Sequence, residues 1–125
     1  MHSLTLGAGV LVGINRGEWG GDLTWNPVNG QGQLLLEHNV VAIEPAEGGV
    51  IVLFGLAQGG LVDGYVVRVS RRGDGDRSLS EVARLPSTAD ALATIGPNLF
   101  AAWSENRVIV FSDQEIVGLA KCVDN

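Results

Sequence analysis

Three short runs of apolar residues recur along the chain, and each suits a strand that is covered on both faces. They are Gly9-Val10-Leu11-Val12-Gly13-Ile14, Gly49-Val50-Ile51-Val52-Leu53-Phe54 and Asn98-Leu99-Phe100-Ala101-Ala102-Trp103. The second lies 40 residues after the first and, aligned on apolar content, 49 residues before the third. Successive side chains of a strand point to opposite faces, so a run apolar at every position needs packing on both sides. In the middle unit Val50, Val52 and Phe54 would share one face, and Ile51 and Leu53 the other. Internal periodicity at this spacing takes precedence over any single motif, because it sets the architecture in which a motif is placed.

Each run is followed by a polar turn and further strands. In the middle unit these read Gly64-Tyr65-Val66-Val67-Arg68-Val69 and then Leu79 to Leu85; in the last unit, Arg107 to Phe111 and then Ile116 to Ala120. The second strand alternates, with Tyr65, Val67 and Val69 on one face and Val66, Arg68 and Ser70 on the other. Turn signals Gly20-Gly21-Asp22, Asn29-Gly30, Gly48-Gly49, Gly59-Gly60, Asp63-Gly64 and Asp74-Gly75 punctuate the runs at all-β intervals. The 125 residues, 46% of them hydrophobic, are enough for one domain with a core and argue against disorder.

Repeats of this length, each supplying up to four short strands, resemble the blades of β-propellers of the WD40, kelch and quinoprotein-like kinds. The approximate blades are 1–38, 39–86 and 87–125, and Asn15 to Leu23 looks like a segment of uncharacterised bacterial propeller-like proteins. The resemblance implies an all-β fold of three propeller-like blades of short antiparallel strands. Closed propellers have about four to eight blades, so three leave two sheet faces bare. A homodimer forming a six-bladed ring would cover both. Exchange of strands near Leu4-Thr5-Leu6 and Ile116-Val117 between subunits is a second arrangement, and a β-sandwich or barrel a third. Ser78 to Leu85 and Thr88 to Ile95, separated by Pro86, also read as short capped helices in an α+β alternative.

A net charge of −6 disfavours nucleic acid and anionic membrane surfaces as partners. The basic cluster Arg68, Arg71, Arg72 and Arg77 is broken by Asp74 and Asp76 and reads as a solvated hairpin tip. No apolar stretch approaches about 18 residues, the length of a membrane span. The start of the chain lacks a basic, long-apolar secretory pattern and Cys122 is the single cysteine; both fit a cytoplasmic protein.

Chemistry falls to the loops. Glu18-Trp19-Gly20-Gly21-Asp22 combines two carboxylates, an aromatic face and flexible backbone, and Glu18, Trp19 and Asp22 form the candidate ligand site, suited to stacking on a sugar or ring. Trp25 and Trp103 read as core residues, Trp103 by its alignment with Phe54. Asp74-Gly75-Asp76 lacks the remaining ligands of a calcium loop, Arg72-Gly73-Asp74 matches an adhesion tripeptide by letters only, and His2 and His38 have no neighbour at metal-ligand spacing. Ser104-Glu105, Ser112-Asp113 and the Glu44/Glu47 pair form no catalytic constellation, so no catalytic residue, metal or cofactor is assigned. The expectation is a non-catalytic binding or scaffolding module acting through its blade loops as a homo-oligomer. A lectin-like carbohydrate or small-molecule binder and a hydrolase with acidic residues near a central channel are the alternatives.

Overall fold

A computed structural model describes residues 1–17, 20–58, 61–71, 77–86, 89–105, 107–113 and 115–121, with side-chain surroundings for all of these except 56–58, 61–63 and 119–121. Twelve strands are described. They are β1 His2–Leu6, β2 Gly9–Asn15, β3 Gly21–Pro27, β4 Gln33–Leu36, β5 Asn39–Ala46, β6 Gly49–Gln58, β7 Leu61–Arg71, β8 Arg77–Leu85, β9 Ala91–Gly96, β10 Leu99–Trp103, β11 Arg107–Phe111 and β12 Ile116–Lys121. They form three four-stranded antiparallel sheets, β1 to β4, β5 to β8 and β9 to β12, each a simple meander in chain order. The fold is all-β, and among the described strands there is no closed barrel. Both segments read as alternative helices hold strands instead: Ser78 to Leu85 lies in β8, and β9 takes up Ala91 to Ile95. No described helix is long and apolar enough to cross a membrane.

The first hairpin of every sheet closes through a two-residue turn, pairing Leu6 with Gly9, Ala46 with Gly49 and Gly96 with Leu99. Gly9, Gly49 and Leu99 are therefore equivalent, and so are Val10, Val50 and Phe100. The true spacing of the last two units is 50 residues, one more than the apolar match suggests. One residue of slip exchanges the faces of a strand. Trp103 accordingly corresponds to Leu53 rather than Phe54, points away from the stack and is 39% exposed.

Each sheet now has a front face, in register with Val50, and a back face, in register with Ile51. The back of the first sheet (Leu11, Leu23, Trp25) packs on the front of the second (Val40, Val50, Val52, Phe54, Val67, Val69). The back of the second (Ile51, Leu53, Val66, Val82, Leu85) packs on the front of the third (Leu92, Phe100, Ala102, Ile109, Phe111). The middle sheet is thus covered on both sides, as the two-faced run of β6 requires, and Trp25 is buried between the first two sheets. Initial strands gather along one edge of the stack, with β5 against β1, β2 and β3 on one side and β9 on the other. Every sheet supplies its own four strands, so the arrangement in which subunits exchange terminal strands has no missing strand to fill.

Polar side chains tie the sheets at their rims. Gln33 bonds both backbone groups of Arg77: the Arg77 N–H donates to Oε1 at 3.3 Å and Nε2 donates to the Arg77 carbonyl at 3.4 Å. The Arg77 guanidinium lies 4.1 Å from the centre of the Trp25 ring. Burial, with repulsion from Arg71 added, holds its pKa below the usual arginine range. At the other interface Arg68 lies over Phe100 at 5.9 Å and pairs with Asp113 at 3.3 Å, while Asn98 Nδ2 donates to the same carboxylate at 2.7 Å. Arg68 and Arg77 are interface residues, which corrects the reading of this basic cluster as a solvated tip; Arg72, Asp74 and Asp76 lie outside the described residues. Replacing Arg77 by Met keeps the aliphatic cover and removes the cation, and is expected to cost about 0.5–2 kcal/mol. Urea unfolding of the two proteins would measure it.

Candidate functional site

The loop from β2 to β3 is built around two glycines in left-handed conformation, Gly17 (φ 61°) and Gly20 (φ 83°), which other residues adopt only with strain. Gly17 N–H donates to Asn15 Oδ1 at 2.9 Å, and Gly20 N–H donates to the Gly17 carbonyl at 3.1 Å. Asn39, the first residue of β5, reaches across from the second sheet. Its Oδ1 accepts from the Arg16 N–H at 3.0 Å, and its Nδ2 donates to the Gly17 carbonyl at 2.7 Å. Room for this clamp exists because residue 21 is glycine: a Cβ there would run into the Ile14 carbonyl and sit 2.6 Å from Asn39 Oδ1.

Asp22 follows directly, opposite Ile14 on the front face of the first sheet. Its Oδ2 pairs with Arg16 Nη2 at 3.2 Å. Both side chains keep substantial solvent contact, so the pair contributes at most about 1 kcal/mol to stability and serves mainly to orient the two groups. Beside it is an open depression of about 310 Å3 lined by Arg16, Gly20, Gly21, Asp22, Leu34 and Glu37. One guanidinium, two carboxylates and one apolar side chain thus border a recess held by backbone on the loop side. Such a surface can exchange hydrogen bonds with hydroxyl or amide groups while Leu34 covers an apolar edge.

Of the three residues expected here, Asp22 borders the depression, whereas Glu18 and Trp19 lie outside the described residues. Arg16, Leu34, Glu37 and the clamp Asn39 were not singled out from sequence. Arg16 and Asp22 flank the glycine-rich loop and become neighbours once Asn15 is paired with Gly21, so the hairpin register was the available signal. The remaining motifs have other uses. Asp113 joins two sheets, as described above, and Ser104 closes a turn by donating its N–H to the Arg107 carbonyl at 2.9 Å. His38 packs edge-on against Phe54 at 6.2 Å, and Glu44 lies within β5. Among the described residues no group of three His, Cys, Asp or Glu side chains is placed to hold a metal ion; Cys122 lies outside them.

Fold and site together define an all-β array of three blade-like sheets with a clamped loop at one end. In comparisons with known proteins, no family model, no curated protein and no solved structure matches the chain.

Proposed function

We propose that this protein is a binding module of propeller-like blades, in which the stacked sheets hold the Arg16-Gly17 backbone and the depression beside Asp22 as a contact surface. The observation that carries the reading is the Asn39 clamp. The Arg16-Gly17 backbone, fastened to the neighbouring sheet through both ends of one amide, loses little further entropy when it meets a partner, which is what preorganisation requires. The sheets supply rigidity, and Arg16, Asp22, Leu34 and Glu37 supply the groups that meet the ligand.

The lining favours a small polyhydroxylated ligand such as a saccharide. Carboxylates of Asp22 and Glu37 accept from hydroxyls, Arg16 donates, and Leu34 offers an apolar edge for a ring. Titrating 15N-labelled protein with a panel of mono- and oligosaccharides is expected to shift the amides of residues 16–22, 34 and 37. Replacing Asp22 by Ala should weaken that response at least tenfold while the rest of the spectrum stays in place. Saccharide-induced shifts centred elsewhere, or none, would remove the depression as the site.

A further inference from the structure

Among the described residues nothing covers two sheet faces of this stack, and the repeat register says what belongs on each. The back of the third sheet presents Ala91 and Ala93 from β9, Leu99, Ala101 and Trp103 from β10, and Val108 and Val110 from β11, with no charged residue among them. The corresponding backs of the first and second sheets are each covered by the front of the sheet that follows. Among the described residues one front face is free, that of the first sheet. Its central stripe of Val10, Val12 and Ile14 occupies the positions that Val50, Val52 and Phe54 use to bury the back of the first sheet.

We infer that the back of the third sheet takes the front of the first sheet of a second copy of this chain, and that two such reciprocal contacts close a ring of six sheets. Area separates this arrangement from a pairing of two third sheets. A four-stranded face about five residues long measures roughly 20 by 17 Å, on the order of 300 Å2. A single symmetric contact between third sheets would bury roughly 600 Å2 in total, short of the roughly 1,200 Å2 a stable interface needs, while two reciprocal contacts reach about that value. The composition of the front face agrees with a junction between copies that is more polar than those within the chain. Where the second sheet has Tyr65, Val67 and Val69, the first has Asp22, Thr24 and Asn26. Thr24 and Asn26 turn their donors back onto the Val12 and Val10 carbonyls, at 3.5 and 3.4 Å, which lowers the cost of covering them. The covered face shares Asp22 with the depression, and the two readings are told apart by what is measured: pairing by the mass in solution, saccharide binding by amide shifts recorded on protein diluted to the monomer.

Light scattering coupled to size exclusion, over a dilution series, is expected to give twice 13.1 kDa. Val12→Lys on the front of the first sheet and Trp103→Arg on the back of the third should each raise the dissociation constant at least 100-fold. Because the two lesions sit on opposite partners of each junction, an equimolar mixture restores one intact junction and should associate more tightly than either variant alone. Ile14→Lys and Val110→Lys serve as a second pair, and circular dichroism and melting temperature identify any variant that fails to fold. A monomeric parent protein, a ladder of open oligomers, or a dimer that survives Val12→Lys or gains nothing on mixing would overturn the proposal.

Discussion

Replacing Phe54 by alanine is expected to lower the unfolding free energy by about 3–5 kcal/mol, the range for truncating a buried aromatic. Phe54 has no solvent exposure, sits opposite Val40 and meets the rings of His38 and Tyr65 at 6.2 and 6.3 Å. It belongs to the cluster that joins the first two sheets, with Leu11, Leu23 and Trp25 across from it. A domain of this length has a total stability of roughly 6–19 kcal/mol, so one truncation takes a large share. The check is urea unfolding followed by tryptophan fluorescence, with the midpoint falling and the slope unchanged. A loss under about 1 kcal/mol would mean that the first sheet is not packed on the second in this way.

The second large effect comes from adding atoms. Gly13 corresponds to Leu53 and Trp103 in the other sheets, yet it carries no side chain because Val40 of β5 sits directly over it. A Cβ at this position would lie 2.7 Å from Val40 Cβ and 2.8 Å from its Cγ2. Val40 is itself fully buried, so neither group has room to yield. Gly13→Leu, which would merely restore the residue found in the middle repeat, is expected to prise β5 from β2 and cost at least the roughly 1–3 kcal/mol typical of overpacking. The smaller change Gly13→Ala should be less harmful in a Val40→Ala background, with a coupling of about 0.5–3 kcal/mol in a double-mutant cycle. Additive losses would show that the two residues do not meet.

Much of this architecture was legible in the chain because burial on two faces leaves a distinct pattern. The runs at Val10 and Val50 and the strand Arg107 to Phe111 followed from it, and the expected core position of Trp25 is the observed one. The last repeat slipped by one residue for an identifiable reason. Its first turn uses Asn98, at φ 55°, where the middle repeat uses Gly48 at φ 81°, so the glycine that marks the register is missing. Asp63-Gly64 carries a turn signature but lies inside β7, where pairing with Gly55 and Leu56 overrides the local preference. Helical propensity in Ser78 to Leu85 yields in the same way to pairing with β7. Asp22 was visible as part of a glycine-rich loop. Asn39 was not, since its partners Arg16 and Gly17 are distant in sequence and meet it only after two sheets have stacked.

The meander connectivity also bears on how the chain reaches this structure. Every ladder joins strands that are consecutive in sequence, and each sheet occupies one unbroken stretch. No strand has to wait for a distant partner, so loop-closure entropy is spent in small steps and the search is short for an all-β protein. During synthesis the first sheet can assemble before the second is complete. The second then emerges with its front face already matched and its back face, centred on Ile51 and Leu53, bare until β9 to β11 arrive. In that interval the chain is open to misassociation with its neighbours through a face that the finished molecule buries.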